Sequence, residues 1–376
     1  MSKIIIVSPA YPLRGGIANF SEALASTLQA QGHDVAIVSY SLQYPGFLFP
    51  GKTQFVTDPP SDSIRDLPIH PLINSINPWT WFRAAQWIVA SKPDYVLISH
   101  FQPFLLPSSY CTTLFLKWSN VPAFTLFHKA PFCALLMSMM HICRGSIGTS
   151  QRINDWIVQH APTHPVCEGF HPPYDCAFGQ SVESGEARLR LGLEKNGKYI
   201  LFFGLIRPYK GLDLLLEALT DPHLEALDIQ LVIAGECYSD ERQLHQRLAT
   251  LNLKTRVITH IRFIPRDEVS YYFSAADIVV QPYTLFSGSS GVTALAYNFL
   301  KPVIVTNIGG LPDQVLHEKT GFVVERDPTA IANAIVTFFQ RSDSAEFAKN
   351  ISQYNAEHSW AALAKRIDAF CLGNMR

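Results

Sequence analysis

The 376 residues suffice for two domains of ~100–200 residues, with cores that need no disulfide or metal staples. Thirty Lys and Arg against 31 Asp and Glu leave a formal charge of −1, which excludes general electrostatic binding of nucleic acid. Charged residues are 16% and aromatics 12% of the chain, a composition that excludes a mainly disordered protein. The charge is unevenly spread: residues 1–170 hold 10 basic and 8 acidic side chains, and residues 171–376 hold the other 20 and 23. The cysteines, at positions 111, 133, 143, 167, 176, 237 and 371, form no CxxC pair, so neither a disulfide framework nor a zinc site is expected, and most of them are expected to be buried thiols. No run reaches the ~18 apolar residues of a membrane span, and the N-terminus lacks a leader pattern, so a cytoplasmic location is expected.

In chain order, Ile4–Val7 is a β-branched run, Pro9–Gly16 a loop, Ile17–Gln31 has helical apolar spacing and Val35–Val38 is a second buried strand. That βαβ unit predicts a parallel sheet with a right-handed crossover. Residues 43–78 are rich in Pro, Gly and Asp and predict a long irregular insertion. Trp79, Trp81 and Trp87 have helix-like spacing, which favours core positions over a sugar platform. Further strands are predicted at Tyr95–Ser99, Ala123–Phe127 and Ser146–Thr149. Between the last two, Ala130–Cys143 (APFCALLMSMMHIC) is apolar and too short to span a bilayer; it fits a core helix or docking at a membrane edge. Residues 172–198 change texture and are the candidate linker. A second series follows, with strands at Tyr199–Phe203, Gln230–Ala234, Val257–Thr259, Ile278–Gln281, Val303–Thr306 and Gly321–Val324. Helices are predicted at Gly211–Leu219, Asp240–Thr250, Asp267–Ala275, Ser290–Leu300 and Thr329–Phe339. The expected fold is α/β: two doubly wound Rossmann-like domains facing a central cleft, with ligands at the strand C-terminal ends.

Three strand-to-helix junctions carry chemistry. Gly15 and Gly16 follow the first strand, where paired glycines admit a ligand to the backbone; the RGGIANF context lacks GxGxxG and disfavours NAD. Gly204 opens a loop holding Arg207 and Lys210, three residues apart beside a helix start and suited to a diphosphate. Ser287, Gly288, Ser290, Gly291 and Val292 form a small-residue nest for a phosphate, without the GK[ST] ending of a P-loop. Asp277 and Asp313 fit helix or turn caps, and Glu325 fits a solvated turn.

In order along the chain, the segments PLRGG, FFGLIRPYKGLDLLLEA, AADIVVQPY, KPVIVTNIGGLPDQV, TGFVVE and HSWAALAKRIDAF resemble retaining glycosyltransferases of family 4, which have the GT-B fold. The resemblance implies an acceptor-side domain over 1–175, a nucleotide-sugar domain over 176–355 and a final helix, 356–376, crossing back to the first domain. It implies transfer of a sugar from a UDP- or GDP-linked donor to a glycan or lipid-linked acceptor, with retention. No metal and no cofactor beyond the donor substrate is expected, and cell-surface polysaccharide synthesis in bacteria, with peripheral inner-membrane association, is the implied setting. Arg207 and Lys210 would neutralise the leaving diphosphate, Gly15 and Gly16 would approach donor and acceptor, and His128, just after the strand ending at Phe127, would lie near the transferred sugar. The family's paired glutamates map to Ser287 and Leu295, and no acid occurs between Asp277 and Asp313. With no enzymic nucleophile there, front-face displacement is the expected mechanism, and a degenerate GT-B protein that binds a nucleotide sugar or a partner is the alternative.

Overall fold

The computed structural model describes the chain except residues 47–52, 57–63, 130–133, 175–177, 239, 286–287, 342–343 and 376. Ser287, Cys133 and Cys176, singled out above, lie outside the described residues. The chain divides into unit 1, Met1–Pro172 with His358–Arg376, and unit 2, Pro173–Glu357.

Unit 1 runs β1 (Lys3–Val7), α1 (Gly16–Ala30), β2 (Asp34–Leu42), β3 (Ile69–Asn74), α2 (Pro78–Ala90), β4 (Tyr95–His100) and α3 (Leu106–Trp118). It continues through β5 (Ala123–Phe127), α4 (Ala134–Ile142), β6 (Gly145–Gly148), α5 (Gln151–His160) and β7 (Val166–Glu168). The seven strands are parallel in the order β3-β2-β1-β4-β5-β6-β7, with Ile4 opposite Val35 and Ile6 opposite Ile37. Ile4, Ile5, Ile6, Val96, Leu97 and Phe124 are at most 1% exposed, as a sheet covered on both faces requires. Right-handed crossovers put α1 on one face and α2, α3 and α4 on the other. The packing agrees: α2 lies on α3, α3 on α4, and α1 on α14 (Trp360–Gly373), the helix that completes this unit.

Within the segment expected to be irregular, residues 69–74 form β3. Its pattern is broken by Pro71, which the ladder tolerates because β3 is an edge strand paired only with β2. Helix α2 starts where Asn77 Oδ1 accepts the Trp79 N–H at 3.2 Å, with Pro78 at its first position. Trp79 is 75% exposed, contrary to the expected core position; Trp81 instead donates to Asn74 O at 2.6 Å, and Trp87 packs on His70.

Unit 2 begins with α6 (Ser184–Arg190), inside the stretch read as linker, then β8 (Lys198–Phe203), α7 (Leu212–Ala218), α8 (Pro222–Ala226), β9 (Ile229–Ala234), α9 (Glu241–Thr250), β10 (Val257–His260) and α10 (Arg266–Ala275). Next come β11 (Ile278–Gln281), α11 (Gly291–Asn298), β12 (Val303–Thr306), β13 (Gly321–Val324), α12 (Pro328–Gln340) and α13 (Ser344–Glu357). The six parallel strands are ordered β10-β9-β8-β11-β12-β13, so the winding reverses between β8 and β11. Such a reversal splays the loops after the two strands and opens a crevice at their C-terminal ends. Asp277 is not a helix cap: it pairs with Arg188 of α6 at 2.8 Å and accepts the Tyr199 N–H, fixing β8 beside β11. Both units are thus doubly wound Rossmann-like layers. Among the described residues no helix is long and apolar enough to cross a membrane. Of the five described cysteines, Cys143, Cys167 and Cys371 are buried, Cys237 is half-buried and Cys111 is exposed.

Candidate functional site

The loops after β8 and β11 meet at the switch point of unit 2. Lys210 ends a short 3-10 turn, Pro208–Lys210, and is only 9% exposed. Its Nζ donates to Tyr283 Oη at 2.9 Å and lies 4.9 Å from the centre of that ring. Tyr283 Oη is 3.3 Å from Ser290 Oγ, which in turn accepts the Val292 N–H and caps α11. The Gln314 side chain clasps the Ser290 backbone, accepting its N–H at 2.6 Å and donating to its carbonyl at 3.3 Å. A side chain built on Gly204 would approach Lys210 Nζ to 3.4 Å and Val292 Cγ2 to 3.7 Å. Gly204 (φ +98°), Lys210, Ser290, Gly291 and Val292 therefore converge, and the absence of a side chain at 204 leaves the lysine approachable. No carboxylate pairs with this ammonium among the described residues, and buried charges are otherwise paired.

Arg207 takes a different direction. Its guanidinium lies 4.9 Å from the ring of Tyr238, in the loop after β9, and its buried Nε has no protein partner. Gly288 is buried and Leu295, at the position of the family's second glutamate, is 7% exposed inside α11. Tyr283, Tyr238 and Gln314 were missed from the sequence. Tyr283 stood in plain view at the end of the AADIVVQPY strand, where a residue following a switch-point strand is itself the signal.

In unit 1 the loop after β1 is tied to α1 and β2: Tyr11 N donates to Glu22 Oε1 at 2.7 Å and Ala10 N to Ser39 Oγ at 3.0 Å. Gly15 precedes α1 at φ +134°, with open space where a Cβ would stand. One turn along α1, Phe20 meets the edge of His128 at 4.8 Å and of His171 at 5.2 Å. His128 follows β5, donates its backbone N–H to His100 O at 3.0 Å, and is 6% exposed with Nε2 lacking a protein partner. Burial, then the neighbouring His171, His100 and Lys129, push the His128 imidazole down to about 3. Burial likewise lowers His100 and His171 to about 4, the latter although its Nδ1–H donates to Pro172 O. This cluster is neutral at physiological pH and offers hydrogen bonds rather than charge.

Stability follows from that. An unfolded histidine titrates near 6.5, so the unfolded chain takes up protons first on acidification. The stabilisation is fully present above pH 6.5 and is lost as pH falls toward 4. By pH 5 each of the three imidazoles is expected to remove about 1–2 kcal/mol. Melting temperatures at pH 7.5, 6 and 5 check this: wild type should fall steeply, and His171→Gln should flatten the fall.

Residues 197–341, most of unit 2, match the family model for glycosyl transferases group 1. A D-inositol 3-phosphate glycosyltransferase of Mycolicibacterium gilvum is 30% identical over 210 residues, which is 54% of this chain and 45% of that protein. The chain spans about half the length of the curated relatives it matches. Among solved structures, sucrose-phosphate synthase of Thermosynechococcus elongatus superposes with a TM-score of 0.74 at 18% identity, over 99% of each chain. The Anabaena protein HepE, crystallised with UDP and glucose, gives 0.73 at 17%, over 99% of this chain and 100% of that one. At these identities the likeness carries the fold, which is GT-B, while unit 2 carries a glycosyl transferases group 1 domain.

Proposed function

We propose that the chain is a retaining glycosyltransferase that moves a sugar from a nucleotide diphosphate sugar to a glycan or lipid-linked acceptor, in bacterial cell-surface polysaccharide synthesis. The observation that carries this reading is Lys210, a buried ammonium held by a phenol and with no carboxylate partner among the described residues, at the switch point of a Rossmann-like unit. Such a group suits a diphosphate, whose charge grows as the bond to the sugar breaks. The capped start of α11 adds backbone N–H donors, and Arg207 adds a second cation. In a front-face displacement the C1–oxygen bond to the diphosphate breaks, its electron pair leaves on the phosphate oxygen, and that oxygen takes the proton of the attacking acceptor hydroxyl. A neutral His128 suits a hydrogen bond to a sugar hydroxyl. The UDP and glucose found with HepE favour a uridine donor.

A second reading, a degenerate GT-B protein that binds without transfer, is favoured by the buried apolar Leu295 in place of an acid. Thermal shifts against UDP, GDP, ADP, CMP and NAD test both. A ligand at 100 times its dissociation constant adds ~2.7 kcal/mol. A selective shift with UDP or GDP followed by turnover of the matching nucleotide sugars is expected. A shift without turnover of any of them would favour the degenerate reading, and silence across the panel would overturn the donor assignment.

A further inference from the structure

The start of α11 is held by Gln314, which ends the 3-10 turn Pro312–Gln314 between β12 and β13 and is 5% exposed. Its Oε1 accepts the Ser290 N–H at 2.6 Å and its Nε2 donates to the Ser290 carbonyl at 3.3 Å. A primary amide accepts and donates in this way, and neither a carboxylate nor an apolar side chain does both. The Gln314 backbone is fixed in turn: Tyr297 Oη donates to its carbonyl at 2.9 Å and lies 2.7 Å from Thr320 Oγ1. Ser290 and Tyr297 stand two turns apart on one face of α11. The 312–314 turn therefore grips the helix at both ends.

Ser290 is where this grip meets the anion site. Its Oγ accepts the Val292 N–H and lies 3.3 Å from Tyr283 Oη, the partner of Lys210 Nζ. The N–H groups of Gly291, Val292 and Thr293 open the helix and have no carbonyl acceptor within it. Ser290 Oγ takes that of Val292, and Gln314 takes that of Ser290 itself, so Gly291 and Thr293 keep donors for a ligand. The flanks are stitched as well. Gln281 Nε2 donates to Thr293 Oγ1 at 2.9 Å, and Thr306 Oγ1 donates to the Tyr283 carbonyl at 2.7 Å. Satisfying one buried N–H would be reason enough for an acceptor at 314. The second bond goes further, because the Ser290 carbonyl already accepts the Ala294 N–H. What it adds is a fixed orientation of the Ser290 peptide groups.

We propose that Gln314 is a positioning residue of the anion site: by clasping Ser290 it aims the Gly291 and Thr293 N–H groups, together with Lys210, at one diphosphate. It acts through Ser290 and Tyr283. This rests on the reading of the site as one for a diphosphate, and adds to it the residue that sets its geometry.

Calorimetric titration of inorganic pyrophosphate into the full chain tests it, with wild type, Lys210→Ala, Gln314→Met and the double variant. Gln314→Met keeps most of the volume and loses both bonds to Ser290, and should weaken pyrophosphate about ten-fold. In the Lys210→Ala background the same change should cost less than about three-fold, because residues acting through one network do not add. Phe347→Leu, in the core of the same unit, should lower the melting temperature and leave the affinity unchanged. No loss with Gln314→Met, an equal loss in both backgrounds, or an equal loss with Phe347→Leu would overturn the proposal. So would a wild-type chain that does not bind pyrophosphate. Turnover of nucleotide sugars is scored separately. Transfer without the coupling would remove Gln314 and leave the transferase reading; binding and coupling without transfer from any donor would do the reverse.

Discussion

Lys210→Ala is expected to lower the rate of sugar transfer by about 10²–10³-fold, the usual consequence of removing one preorganised donor from a leaving group's charge. The same variant should melt at or slightly above the wild-type temperature. The two outcomes share one cause. Lys210 is 9% exposed and, among the described residues, its ammonium is bonded only to Tyr283 Oη, so this unpaired charge weakens the fold. Its removal relieves that term and leaves Tyr283 with Ser290. Lys210→Met, which keeps most of the volume, separates lost charge from lost packing. Turnover figures and melting curves on both variants check the expectation. Transfer unchanged in either one would remove the lysine from the mechanism.

Gly211→Ala is expected to do the reverse, lowering stability by about 3 kcal/mol and transfer with it. Gly211 holds φ +69° between the turn that carries Lys210 and the start of α7. A Cβ there would fall on the Pro282 carbonyl oxygen and 3.1 Å from Thr284 Cγ2. That close approach docks the Lys210 turn against the Tyr283 segment, together with the Thr284 N–H donating to Tyr209 O at 2.8 Å. Left-handed backbone alone accounts for about 1 kcal/mol, and the collision supplies the rest. Gly192→Ala isolates the first term, since Gly192 has φ +72° with nothing within 4 Å of its Cβ position. A melting temperature about 6–12 °C lower for Gly211→Ala, and only a few degrees lower for Gly192→Ala, is the result to look for. Equal losses would mean that the approach to Pro282 is not a constraint.

These two residues also mark what was legible in the sequence. Glycines and cations at strand ends are punctuation, so the loops after β1, β8 and β11 could be located from residue type alone, and all six strands of unit 2 could be read from buried β-branched runs. What escaped depends on distant partners. Tyr283 acquires its role from a lysine 73 positions away, and Gln314 from a serine 24 positions away; neither is charged. Asp277 read as a cap because its partner, Arg188, is 89 positions away on a helix the sequence did not announce. β3 needed its neighbour too: with Pro71 in the middle, only pairing of Ile69 with Ile37 makes it a strand. Trp79 shows the limit of periodicity, which says that residues share a helix face and not which way that face turns.

The last helix has a consequence for the order of events on the ribosome. Unit 1 is finished by residues 358–376, where Tyr95 donates to Asp368 at 3.0 Å, Phe370 packs on Phe124, and Gln31 reaches Ala361 O. Those contacts join residues some hundreds of positions apart, whereas Pro173–Glu357 is one unbroken run. In vectorial synthesis the second unit can therefore close on itself while the first, though made earlier, still has the α1 side of its sheet uncovered. Residues 1–172 leave the ribosome before residues 173–357 yet are sealed after them, and the apolar strip awaiting α14 is the surface most in need of shelter until that helix has emerged.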